Sequence, residues 1–291
     1  MRAFGDPGVL AIEDVPVPSP RSGEALVRVA AVEVSRTRDV AARSGREYAC
    51  TRLEMVGIHR WGSYAEFTRV PAGSLHVLPD GIGMSEAAAL AATGPIALTQ
   101  LRVAAVTAGS EVLITGVTGA LATVLAALAS RFGARVTGLS RRVAAVAPGL
   151  PITVLDSGRE DLTQAIRDAA KGDGPDSVID NIAAPDVFDR YFPALMNGAR
   201  IVISGAIGTP DLPVLQVPAV PLYLRSISLL GVRTATARMT LDFWDLVRDG
   251  FRLPPGLVHE ETLEAASAVH DAVIRGTTVG HTVLRVSDSV A

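Results

Sequence analysis

The run Val112-Leu113-Ile114-Thr115-Gly116-Val117-Thr118-Gly119-Ala120-Leu121-Ala122 restricts this chain's fold more than any other feature. A short apolar strand enters a glycine turn, and a helix opens directly behind it. Leu121, Val124, Leu125, Leu128 and Phe132 recur at helical spacing, which gives that helix an apolar face for a sheet. A strand, a glycine turn and a helix N-terminus together form a ready site for a dinucleotide pyrophosphate. Backbone N–H groups and the helix dipole face the anion, and a missing Cβ lets it approach. The spacing is Gly116-x-x-Gly119-x-x-Ala122, with Ala as the third small residue. Thr115, Gly116, Gly119, Ala120 and Leu121 are therefore candidate cofactor contacts.

The next strand follows on schedule and ends in Ser140-Arg141-Arg142. An acidic residue at that place reads the ribose of NAD, whereas an arginine pairs with the 2′-phosphate of NADP. Two arginines and no carboxylate predict NADPH, bound through Ser140, Arg141 and Arg142. The competing reading is a buried turn with two solvated arginines.

Strand candidates at 112–115, 135–139, 177–181, 200–204 and 227–230 alternate with apolar helical stripes. This pattern predicts an α/β fold with a Rossmann-type, doubly wound parallel sheet. Residues 24–32 and 64–70 partly alternate apolar and polar, as half-buried strands do, and 75–79 reads as a further short strand. Ser85 is a candidate N-cap for a helix. Residues 263–275 read as a helix and 281–286 as a closing strand. Asp180 sits at the end of its strand, either lining a cofactor crevice or capping a turn.

Several function classes are disfavoured. The net charge is −3 and the sequence pI is near 6.0, so no polyanion partner such as nucleic acid is expected. Residues 112–133 have about the length of a membrane span, but a strand, a glycine turn and a helix explain them better. Residues 1–7 lack the apolar stretch of a signal peptide, so a cytoplasmic location is expected. Cys50 is the only cysteine, which excludes an intramolecular disulfide and a thiolate metal cage. His59, His76, His259, His270 and His281 show no metal-binding spacing, so no metal site is expected. No G-x-S-x-G elbow supports a hydrolase.

These residues, taken in order, resemble the medium-chain dehydrogenase/reductase family, and within it the zinc-independent, quinone oxidoreductase-like branch. Gly62-Ser63-Tyr64-Ala65-Glu66-Phe67 is similar to the family's G-x-Y-A-E-(Y/F) stretch. Thr93-Gly94-Pro95, Asp180-Asn181-Ile182 and the stretch from Gly198 to Gly205 are similar to successive segments of its coenzyme domain. Gly280-His281-Thr282-Val283-Leu284-Arg285-Val286 resembles its closing strand. The resemblance implies a truncated GroES-like β-barrel domain (1–92), a Rossmann domain (93–232) and a return to the first domain (233–291). It further implies a homodimer and an NADPH-dependent reduction of a quinone, an enone or an enoyl thioester. The shortened barrel would open the cleft to a bulky or carrier-bound small-molecule substrate. Catalytic candidates are Tyr64, as proton donor, and Thr93, beside the nicotinamide. Asn181 and Gly205 join the candidate cofactor contacts.

The departures are specific. Little chain joins Gly45 to Gly62. Arg36 stands where the family often has Asn, three residues before Asp39. Ala120 replaces a glycine at the phosphate, and Ser157 a tyrosine after the third strand. These changes keep a second reading open: a non-redox member, such as a cyclase, a lyase or a binding protein, with a repurposed cleft.

Overall fold

The structure is a computed structural model that describes residues 7–33, 61–147, 149–205 and 214–286. Along the chain, β1 (Glu24–Arg28), β2 (Ala31–Glu33) and β3 (Phe67–Pro71) precede the long helix α1 (Met84–Val103). Then come β4 (Glu111–Thr115), α2 (Ala120–Arg131), β5 (Arg135–Ser140), β6 (Thr153–Asp156), α3 (Leu162–Ala169), β7 (Ser177–Asp180) and α4 (Pro185–Tyr191). Next follow β8 (Arg200–Ile203), α5 (Ala219–Leu224), β9 (Ser228–Gly231) and α6 (Ala237–Arg248). The described chain closes with β10 (Val258–Thr262), α7 (Ala266–Ile274) and β11 (His281–Arg285).

The chain divides into two compact units. One is Met1–Thr93 with Thr236–Ala291, and the other is Gly94–Ala235. In the first unit, β1 pairs antiparallel with β3. A second sheet has the order β10-β11-β2, so strands from both ends of the chain share it. Leu284 on β11 and Ala266 and Val269 on α7 form a small buried cluster, with Tyr64 packed against it.

The second unit is a six-stranded sheet in the order β6-β5-β4-β7-β8-β9, parallel throughout. The central strands β4 and β7 are buried along their whole length. That is why they read as continuous apolar runs rather than alternating ones. Helix α2 buries Val124, Leu125 and Leu128 of the expected stripe, whereas Leu121 and Phe132 at its two ends are only partly buried; Ala122, Thr123, Ala126 and Ala129 widen the buried face. Strand order reverses between β4 and β7. Open α/β sheets bind ligands at such a point, outside the carboxyl ends of the strands.

Several expectations need correction. Residues 75–79 form no strand; Val77 is 86% exposed and no neighbouring strand is there to accept it. Ser85 lies inside α1, which starts at Met84, so it is not the N-cap. The strand expected over 24–32 breaks between β1 and β2, and Leu263–Ala265 is a tight 3-10 turn before α7. The apolar stretch 112–133 divides into β4 and α2. Among the described residues no helix is long and apolar enough to cross a membrane.

Candidate functional site

The glycine turn joins β4 to α2. Gly116 has φ +63°, a left-handed conformation that costs a residue with a Cβ about 1–2 kcal/mol. A Cβ there would also meet Ile182 Cδ1 at 2.5 Å. Gly119 N–H donates to the Gly116 carbonyl at 2.9 Å, which closes the turn. Gly119 is also the N-cap of α2, and no side chain caps that end. The opening N–H groups of a helix lack intrahelical acceptors, so those of Ala120 and Leu121 are available to an anion.

Across the strand-order reversal, β7 ends at Asp180. Its carboxylate accepts from Thr115 Oγ1 at 2.8 Å and from the backbone N–H groups of Ile182 and Ala183 at 3.0 and 2.9 Å. It also accepts from Tyr191 Oη at 2.9 Å. Asp180 therefore caps the turn after β7 and pins it to β4. Ala183 is held at φ +52° in this turn, which places Ile182 over Gly116. Burial, reinforced by the adjacent Asp180 charge, pushes the Tyr191 phenol far above its ordinary pKa.

Thr115 and Asn181 are both in the crevice, but their side chains are already engaged. Thr115 bridges to Asp180. Asn181 forms a reciprocal amide pair with Gln100 of α1, with N···O distances of 3.0 and 3.3 Å. Gly205 packs so closely on the Asn181 carbonyl that a Cβ would lie 2.7 Å from its oxygen. These three residues tie together the carboxyl ends of β4, β7 and β8 where the strand order reverses.

At the end of β5, buried Ser140 accepts from the Arg142 backbone N–H at 2.9 Å and fixes the turn there. Arg141 is exposed, and its side chain makes no ion pair or hydrogen bond with the described residues. Ser157, which follows β6, donates its N–H to the Ser140 carbonyl.

The catalytic candidates lie in the first unit. Thr93 is buried, and its hydroxyl donates to the Ala89 carbonyl at 2.6 Å, so its proton is spent inside α1. Tyr64 Oη lies 2.9 Å from His270 Nε2, with the two rings 5.6 Å apart. Burial lowers the His270 pKa, which favours a neutral imidazole that can accept the phenol proton. Arg36, Asp39, Cys50 and His59 lie outside the described residues. Among the described residues no group of three or more His, Cys, Asp or Glu side chains is placed to hold a metal ion.

The family model described as zinc-binding dehydrogenase matches residues 120–249. The chain is 29% identical over 201 residues to the L-galactonate-5-dehydrogenase of Escherichia coli K12, which covers 67% of this chain and 56% of that protein. It superposes on a crystal structure of an NAD-dependent alcohol dehydrogenase with a TM-score of 0.85 and 25% identity, covering 99% and 98% of the two chains.

The chain is similar to proteins of the medium-chain dehydrogenase/reductase family and has their fold. Its fold is also shared by Escherichia coli K-12 YhdH, solved with bound NADPH, at TM-score 0.71 and 18% identity over 96% of this chain and 95% of that one. The chain spans just over half the length of the galactonate dehydrogenase it matches. Its helix α2 opens without a side-chain cap, and Arg141 has no partner among the described residues. Gln100, Tyr191, Ile182 and His270 were not legible as site residues. A buried glutamine on an otherwise apolar helix stripe was the one available signal, and only for Gln100.

Proposed function

We propose that this chain is an NADPH-dependent, zinc-independent reductase of activated C=C or quinone substrates, acting in the cytoplasm. The observation that carries the reading is Arg141. It stands exposed at the end of β5 with no partner among the described residues, and no acidic residue in Ser140-Arg141-Arg142 is there to receive a ribose hydroxyl. Bound NADPH would supply a hydride from its nicotinamide ring. The N–H groups of Ala120 and Leu121 would hold the pyrophosphate, and Arg141 with Arg142 would hold the 2′-phosphate. The Asp180-capped turn would keep Ile182 against Gly116 and exclude water from the floor. Tyr64, hydrogen-bonded to His270, is the side chain we assign to proton delivery at the reduced substrate.

Titration with NADPH and NADH, repeated for Arg141→Ala, tests this reading. We expect tight NADPH binding, weak NADH binding and a loss of about 1–3 kcal/mol in the variant. Equal affinity for the two nucleotides would refute the 2′-phosphate site.

A second reading is a non-redox member of the family. The commitment of the Thr93 proton to Ala89, and the Cβ of Ala120 at the phosphate site, favour it. Absence of binding by either nucleotide would put this reading first.

We further propose a homodimer formed through β9, the edge strand of the six-stranded sheet, where Leu229 is 41% exposed. Leu229→Lys should then yield a monomer by light scattering; an unchanged solution mass would rule that interface out.

A further inference from the structure

Asp180 is 1% exposed, yet no cation among the described residues pairs with it. Its four partners, Thr115 Oγ1, Tyr191 Oη and the N–H groups of Ile182 and Ala183, are all neutral donors. A carboxylate that accepts four hydrogen bonds and donates none has the pattern of the ionised form. Neutral donors stabilise that charge without cancelling it. The result is a negative charge that no described residue neutralises, buried from solvent at the carboxyl end of β7. That strand flanks the reversal of strand order, so the charge lies beneath the crevice where this fold binds its ligand.

A buried charge acts over longer range than an exposed one, because neither water nor salt screens it fully. The two redox states of a nicotinamide coenzyme carry the same phosphates, riboses and adenine. They differ by one positive charge, which the ring holds only when oxidised. A negative charge under the crevice therefore distinguishes them even where it touches neither.

We propose that Asp180 is a positioning residue whose buried charge favours the oxidised over the reduced nicotinamide cofactor, making the bound reduced form a stronger hydride donor. The inference rests on the nicotinamide reading above and assigns a direction to its chemistry. In the reduction proposed above, the C4–H bond of the reduced ring would break and a C–H bond would form on the substrate, whose π pair would take up a proton at its other atom; the ring left behind would carry a positive charge. Stabilising that cation in the crevice pulls the transfer toward substrate reduction. Thr115 and Tyr191 hold the carboxylate in place.

Equilibrium binding of NADP⁺ and NADPH to the full chain tests this, measured by calorimetry on the wild type, Asp180→Asn and Tyr191→Phe. The asparagine keeps the shape and removes the charge. The ratio of the NADP⁺ to the NADPH dissociation constant should rise about threefold or more in Asp180→Asn. A loss of crevice shape alone would weaken both nucleotides equally, and an unchanged ratio overturns the proposal. Tyr191→Phe keeps the charge and withdraws one donor, so the ratio should fall or hold while stability drops. Should Asp180→Asn fail to fold, Tyr191→Phe carries the test, and a raised ratio there sinks the inference. Wild-type protein that binds neither nucleotide refutes the nicotinamide reading itself, whereas binding with equal shifts refutes only the role of Asp180.

Discussion

The two ends of the six-stranded sheet handle buried carboxylates in opposite ways. At the amino end, Glu111 is paired with Arg135, whose Nε lies 2.6 Å from Oε1, and the same oxygen accepts from the Lys171 N–H. Asp176 nearby accepts the Glu111 N–H and the Ser177 hydroxyl. At the carboxyl end, Asp180 has only neutral donors and no cation among the described residues. At the amino end, the Glu111 charge is neutralised by Arg135. The carboxyl end keeps a net charge and a strained turn, the two things that a purely structural end would shed. Position in the sheet, rather than residue type, decides which role a buried acid takes.

The comparison can be broken most directly at Asp180. Asp180→Ala would leave Thr115, Tyr191 and two backbone N–H groups without an acceptor in a dry site. We expect a loss of on the order of 3–4 kcal/mol in a denaturant melt. The matched change, Glu111→Ala, should cost only about 1 kcal/mol, because the Arg135 side chain is 47% exposed and water replaces its partner. Equal losses at the two ends would abolish the distinction.

Gly116→Val is the next largest expected effect. It forces a β-branched residue into the left-handed region and against Ile182. A cost of about 2–3 kcal/mol and loss of nucleotide binding should follow. Wild-type melting of this variant would mean that the turn is not built as described.

A smaller effect sharpens the contrast between the sheet and the Tyr64–His270 pair. The folded His270 has a pKa below its ordinary 6.5, because burial disfavours the charged ring. The unfolded chain therefore takes up the proton first. The stability contributed by neutral His270 is complete above pH ~6.5 and declines as pH falls through the lower folded value. The melting temperature should drop across that window, and the drop should shrink in His270→Gln. An identical pH slope in the variant would place the titration elsewhere.

The smallest prediction concerns strain in the turn that Asp180 caps. Ala183→Gly relieves the positive φ but loosens the unfolded chain, for a net gain of about 0.5 kcal/mol by thermal unfolding. A destabilised variant would show that the alanine methyl packs better than its backbone suffers.

Much of the six-stranded unit was legible in the chain itself. Glycines 116 and 119, the strand before them and the stripe on α2 are local signals, set by steric rules and helical period. Strand β6 was implied only by the resemblance, which put Ser157 after a third strand; its own pattern did not show it because Thr153–Asp156 is short and half-exposed, and β10 was missed because its residues are mostly polar and exposed. Both are edge strands, where pairing with one neighbour suffices and the hydrophobic pattern weakens. Thr93 and Tyr64 were picked out by residue type at motif positions. Their partners, Ala89 O and His270, depend on a helical turn and on a helix 206 residues away.

The sequence alone determined the glycine turn, the alternation of strands and helices, the paired arginines after β5 and the absence of a thiolate metal cage. Each of these follows from residues close together in the chain. Only the tertiary structure decided that Asp180 would be buried among Thr115, Tyr191 and its own turn, that Asn181 would be spent on Gln100, and that Arg141 would be left without a partner among the described residues. Hydrogen-bond satisfaction is a property of what surrounds a group in space. Two aspartates as alike in sequence as Asp176 and Asp180 part ways there: Asp176, just before β7, stays half-buried, and Asp180, at its end, is sealed from solvent.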